Sequence, residues 1–230
     1  MKLMVIDTSL GTCLAGSFRV ESGHVEGLGV RQENMTKGHQ EHLGGFARDA
    51  SRDAGGFSGI ERIGVTVGPG SFTGLRVGLS FALGLGAALD CPVVGISTLD
   101  GLAASVPTNG WVVAAIDARR GQVYMRVFKN GEAVDEAQAL AIEDATAKIL
   151  ALAPDGDVAL AGSGAEVLLA YEARLEKARL YPLSAPSAEA LALLTATLDA
   201  PAHPPKPLYL RAPDATPPTR LPGQPRTALV

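Results

Sequence analysis

Short apolar runs that stop at a charged or turn residue alternate along this chain with longer stretches whose apolar positions recur every three or four residues. The first kind fits buried strands and the second amphipathic helices. Residues 3–7, 13–20 and 26–34 read as three strands, with turns at Gly11 and Ser22-Gly23. Residues 39–54 follow as a helix, since Leu43, Phe46, Ala47, Ala50 and Ala54 fall on one side of it. A strand at 63–67 ends in Gly68-Pro69-Gly70, where Ser71 is positioned to cap a long helix running to about residue 88. Residues 92–96 form another strand, and Ser97 or Thr98 can start a short helix after it.

The second half repeats this order. Strands are expected at 111–117 and 122–128, with a third after Asn130-Gly131, then a helix at 142–152, a strand at 158–161, and helices at 165–175 and 187–198. Val5-Ile6-Asp7 and Ala115-Ile116-Asp117 both end an apolar strand in aspartate, and Gly11 and Gly121 follow four residues on, an offset of 110 residues. An offset shared by Asp and Gly at the start of each half points to duplication. The expected class is α/β, in three parts: a first lobe at 1–105, a second and smaller lobe at 106–200, and a tail at 201–230.

Composition sharpens the tail. Nine of the fifteen prolines lie after Ala200, together with Lys206, Arg211, Arg220 and Arg226 against Asp214 alone. That stretch is expected to be extended or disordered and to lie outside any core. The formal net charge of the whole chain is −4, so electrostatics gives no reason to expect it to grip nucleic acid unaided. Cys13 and Cys91 sit far apart in apolar segments and read as reduced core residues. Asp7 interrupts the N-terminus too early for a signal peptide, and the uncharged run 77–89 is too short for a bilayer. A soluble cytoplasmic protein is expected, with no membrane contact.

Two strand-ending aspartates in related lobes can hold Mg²⁺ or its waters while hairpin amides bind phosphate, as in the actin and hexokinase class. They can equally well end their strands and satisfy turn amides. Arg119-Arg120 in the second hairpin is bulky for a phosphate cradle. The glycine-rich string Gly68-Pro69-Gly70-Ser71-Phe72-Thr73-Gly74-Leu75-Arg76-Val77-Gly78 has neither the P-loop lysine nor the dinucleotide-binding spacing.

Taken with Ile6-Asp7-Thr8-Ser9, Pro92-Val93-Val94-Gly95-Ile96-Ser97-Thr98-Leu99, Ala114-Ala115-Ile116-Asp117-Ala118-Arg119 and Tyr209-Leu210-Arg211, that string resembles the TsaB (YeaZ) family. The matches run in family order over most of the chain. The resemblance implies a duplicated two-lobe, actin-like ATPase (ASKHA) fold. It also implies work beside TsaD, TsaE and TsaC in making threonylcarbamoyladenosine next to the tRNA anticodon. The catalytic relative TsaD carries a His-x-x-x-His metal pair after the strand equivalent to 92–96; here the corresponding residues are Thr98 and Leu102. Imidazoles are good metal ligands and leucine is none.

The expected role is therefore a non-catalytic scaffold, with no catalytic residue and no metal. It pairs with a TsaD-like transferase and a TsaE-like ATPase, meets tRNA only through the complex, and forms a homodimer when isolated. No cofactor is expected to bind tightly, with ATP or ADP and Mg at the level of the complex. Asp7, Thr8, Ser9 and Asp117 are the candidate nucleotide contacts. The first-lobe helices supply the candidate interface through His39, His42, Leu43, Phe46, Ala50, Leu75, Val77, Leu79, Phe81 and Leu85. The helix at 71–88 is apolar most of the way round, and its glycines at 74, 78, 84 and 86 suit close approach of another backbone. His39 itself is expected at a solvated helix start, with no third ligand to make a metal site with His42. Two other activities compete with this reading: an independent ATP-dependent kinase of the same fold, and a glycoprotease-type metallopeptidase.

Overall fold

The computed structural model describes residues 1–35, 38–153, 155 and 157–211. The tail beyond Arg211 lies outside the described residues. The first sheet contains β1 (Lys2–Asp7), β2 (Thr12–Glu21), β3 (His24–Asn34), β4 (Arg62–Gly68) and β5 (Val93–Ser97), in the order β3-β2-β1-β4-β5. β1 is antiparallel to β2 and parallel to β4. Helices α1 (His39–Asp53) and α2 (Phe72–Leu89) join the strands, and α3 (Thr98–Ala104) follows the last of them.

The second sheet contains β6 (Trp111–Arg119), β7 (Gln122–Lys129), β8 (Glu132–Ala133), β9 (Gln138–Ala141), β10 (Ala159–Ala161) and β11 (Arg179–Tyr181). Its order is β11-β10-β6-β7-β8, with β9 also paired to β7. β6, β7, β10 and β11 take the places of β1, β2, β4 and β5. Helices α4 (Ile142–Leu152), α5 (Ala165–Tyr171) and α6 (Ala188–Thr197) correspond in order to α1, α2 and α3. The duplication suggested by the 110-residue offset is thus a duplication of topology. The sequence reading missed β11, a three-residue edge strand, and ran one helix through 165–175 where a break separates α5 from a 3-10 turn at Ala173–Leu175.

Both central strands are buried on both faces, and the two faces use different helices. Met4 and Ile6 of β1 join Leu43 and Ala47 of α1 and Leu79 and Ala82 of α2. Leu3 and Val5, pointing the other way, join Ala188, Leu191 and Ala192 of α6. In β6, Val113 and Ala115 pack with Ile149 of α4 and Leu168 of α5, whereas Val112, Ala114 and Ile116 pack with Leu99 and Leu102 of α3. Each half's last helix therefore crosses to the other half's sheet. The stretch 106–200, expected as the second lobe, thus lends its last helix α6 to the first sheet. Arg62 fixes it there, donating to the Thr195 and Leu198 carbonyls at 3.0 and 2.8 Å. Those carbonyls close the C-terminal turn of α6, where helix acceptors lack intrahelical partners.

The start of the expected free tail is also part of the structure. Gly95 N donates to His203 O at 2.8 Å and Leu208 N to Val67 O at 2.7 Å. Leu208 packs on the α1–α2 cluster and Leu210 on the α3–β6 cluster. Residues 203–211 form an extended strap that runs from the first sheet to the β6–β7 hairpin. By length and composition alone α2 is long and apolar enough to cross a membrane, yet Leu75, Leu79 and Ala82 are buried against the sheet.

Candidate functional site: strand-end aspartates and the glycine-rich loop

β1 ends in a buried polar knot. Asp7 Oδ1 accepts from Ser9 N at 2.8 Å, Ser9 Oγ at 2.6 Å and Thr66 Oγ1 at 2.6 Å. Its Oδ2 has no partner, and the side chain has no exposed surface. Burial pushes the carboxyl above its usual range, against the opposing pull of the Ser9 and Thr66 hydrogen bonds and of His39. Burial likewise raises the neighbouring Cys13 thiol to about 11, which keeps it protonated and unreactive. Cys13 and Cys91 are both free.

The glycine-rich loop closes over this knot. Ser71 N donates to Ser9 O at 2.7 Å, and Thr8 Oγ1 donates to Gly74 O at 2.7 Å. A side chain at Gly70 would overlap the Ser9 carbonyl, one at Gly74 the Thr8 carbonyl, and one at Gly78 would stand 2.5 Å from Thr8 Oγ1. Ser71 caps α2 as expected, accepting from Gly74 N at 3.2 Å. The loop thus fits its glycines to the end of β1. Asp7, Thr8 and Ser9, the candidate nucleotide contacts of the first lobe, are covered by their own chain.

The second lobe's equivalent is open. Asp117 Oδ1 accepts from Arg119 N at 2.8 Å, and Oδ2 lies 3.5 Å from Arg119 Nη1. Its side chain is 27 % exposed, so of the two aspartates only Asp117 has surface to offer a ligand. Among the described residues no three of His, Cys, Asp or Glu gather as a metal site. Thr98 and Leu102 of α3 are both fully buried.

The candidate interface residues divide in two. Leu43, Ala50, Leu75 and Leu79 are taken up by the chain's own core, which corrects their assignment to a partner surface. His39 is also buried, with Nε2 unpartnered, and does not stand at a solvated helix start. His42 is exposed beside Phe46, and Phe46, Val77, Phe81 and Leu85 are half-buried, packed against the chain's own α1–α2 cluster with part of their surface left open. The sequence reading missed Phe72 and Leu83, the most exposed large apolar side chains of α2. Of the four α2 glycines, Gly74, Gly78 and Gly86 fit the chain's own neighbours, and only Gly84 has nothing within 4 Å of an added Cβ.

Two sheets of one topology, central strands ending in aspartate and crossed C-terminal helices define a duplicated α/β protein of the actin-like ATPase (ASKHA) class. A family model described as TsaD, tRNA N6-adenosine threonylcarbamoyltransferase, matches residues 18–204. YeaZ from Pseudomonas aeruginosa superposes with a TM-score of 0.70 at 27 % identity, covering 91 % of this chain and 99 % of that one. An uncharacterized protein of Mycobacterium tuberculosis is 33 % identical over 94 % of both chains. The tRNA threonylcarbamoyladenosine biosynthesis protein TsaB of Escherichia coli is 32 % identical over 57 % of each. The chain belongs to the TsaD family and, within it, to the TsaB (YeaZ) group.

Proposed function

We propose that the chain fills its family's role in tRNA threonylcarbamoyladenosine biosynthesis as a non-catalytic subunit that pairs with a TsaD-like transferase and supports its reaction. The observation carrying this reading is α3. Where the resemblance puts the transferase's metal-binding histidines, this chain has Thr98 and Leu102, both wholly inside the protein. A buried leucine offers a metal no donor atom. That also weighs against the metallopeptidase reading. An autonomous kinase would need both strand-end carboxylates open to Mg-ATP, and Asp7 is sealed by the glycine-rich loop.

Nucleotide binding by the chain alone is accordingly weak, with ATP or ADP and Mg belonging to the assembled complex together with a TsaE-like ATPase. Calorimetry with Mg-ATP tests this point: micromolar affinity lost in Asp7→Ala would overturn it. The main test is depletion of the chain in its own cell, with nucleoside analysis of bulk tRNA and co-purification of the TsaD-like subunit. Loss of threonylcarbamoyladenosine, restored by the wild-type gene, is the expected result. Normal modification after depletion, or full transfer activity by the purified chain alone, would sink the proposal.

A further inference from the structure

The strap brings Tyr209 onto the first turn of α2 and creates a feature that the subunit role leaves unused. The Tyr209 ring lies 5.4 Å from the Phe72 ring, tilted by 33°. Arg76 stacks on Phe72 with its guanidinium carbon 3.8 Å from the ring centre, and its Nε reaches Tyr209 Oη at 3.4 Å. Phe72 and Tyr209 are 49 % and 46 % exposed, in a chain with only 6 Phe, 4 Tyr and 1 Trp. Beside them a cavity of about 130 Å³ is lined by Tyr124, Tyr209 and Arg211.

Charge collects at the same place. Arg211 donates to the Ala118 carbonyl and to Gln122 Oε1, which ties the strap to the β6–β7 hairpin that carries Arg119 and Arg120. Arg76 and Arg211 therefore stand at the two exposed rings, and the hairpin that Arg211 holds carries Arg119 beside Asp117.

We propose that the Phe72–Tyr209 pair and its arginines form a stacking platform for an unpaired stretch of RNA, the strand of tRNA presented to the assembled complex. Exposed aromatic faces stack on splayed bases without regard to sequence, and arginine forks take the phosphates between them. A protein partner would also use tyrosine and arginine, but this patch matches a polyanion in charge. The inference rests on the reading that the chain works on tRNA, and it assigns this subunit a contact of its own.

The test is fluorescence anisotropy of the full chain with a labelled single-stranded RNA of about ten nucleotides, a length within the range of single-strand binding sites. Binding is expected at low salt and is expected to weaken as salt rises, with a log–log slope of roughly −1.5 to −2 for about two to three phosphate contacts. Phe72→Ala and Tyr209→Ala should each weaken it by about tenfold, consistent with the loss of one stacked base. Tyr209→Phe should bind like wild type, and circular dichroism checks that each variant folds. Absence of binding at low salt, or folded alanine variants that bind like wild type, would overturn the proposal. So would variants that keep RNA binding and lose co-elution with the TsaD-like subunit, because the patch would then be a protein interface. Cellular complementation separates this inference from the function it rests on. If depletion abolishes tRNA modification and both alanine variants restore it fully, the platform alone is wrong.

Discussion

Asp7 and Asp117 close the same turn, each accepting through Oδ1 the amide hydrogen two residues on, from Ser9 and Arg119, both at 2.8 Å. The turn is all they share. Asp7 adds two hydroxyl donors and is sealed beneath the glycine-rich loop. Among the described residues the Asp117 carboxylate meets its own hairpin's Arg119, and it remains partly exposed. The duplication preserved the local geometry that ends the strand, and the two copies then diverged in what lies above it.

Asp7 should make the protein less stable as pH rises. Burial raises its folded pKa above the unfolded value of about 3.9. The stability it contributes is therefore fully present below that value and is lost as pH climbs through the folded pKa. Asp7→Asn keeps an acceptor for Ser9 and Thr66 without a charge to bury. Melting temperatures between pH 4 and 8 should show the Asn variant gaining on wild type as pH rises. Asp7→Ala, which strands buried donors, should cost about 3 kcal/mol at low pH, and less as pH climbs through the folded pKa, because it too removes the buried carboxyl. Parallel pH profiles for wild type and Asp7→Asn would contradict this account.

The glycines of α2 give a second contrast. Gly74→Ala drives a methyl into the Thr8 carbonyl and should destabilise by 2 kcal/mol or more, on the order of an overpacked core site. Gly84→Ala meets nothing and should stabilise by about 1 kcal/mol through helix propensity. Urea denaturation of both variants measures the difference, and equal effects of one sign would refute the assignment.

Most of the first lobe was legible because its strands and helices announce themselves by period and by turn residues, with Ser71 as a true cap. The position of α6 was less so. Leu3–Ile6 is apolar without alternation, which calls for cover on both faces of β1, but the run does not name the element that provides it. The strap was hidden for a related reason: prolines read as disorder, whereas here they precede two leucines that find apolar seats. The site misled in another way. Leu43 and Leu75 look like any exposed-or-buried leucine in one dimension, and only the sheet decides which side of a helix it covers.

Removing the strap should be felt throughout the fold. A chain ending at Ala200 loses the Gly95 and Val67 backbone bonds and the seats of Leu208 and Leu210. Two partly buried leucines and these bonds together contribute about 3 kcal/mol. A chain ending at Arg211 keeps them all and should melt well above the shorter one. Should the two truncations melt together, the strap contributes nothing.

The outer face of α1 and α2 is where a partner should bind, and the structure separates the informative residues from the misleading ones. Leu75 and Leu79 are inside the lobe, so Leu79→Glu should unfold the chain and report nothing about pairing. Leu83 is 47 % exposed, and Phe81 is half-buried against the α1–α2 cluster with an open edge. A glutamate at either position can reach water in the free chain, so Leu83→Glu and Phe81→Glu should fold. Burying that carboxylate under a second apolar surface leaves it unpaired, which costs on the order of 3 kcal/mol and weakens association more than a hundredfold. If the free chain uses the same face to pair with itself, as an isologous homodimer would, both variants should be monomeric by light scattering. They should also fail to co-elute with the TsaD-like subunit. Arg48→Glu, an exposed position in the α1 sequence that already carries an ion pair with Asp49, serves as a charge-change control for folding and solubility. Folded Leu83→Glu and Phe81→Glu proteins that still self-associate and still bind the TsaD-like subunit would move the interface off these helices.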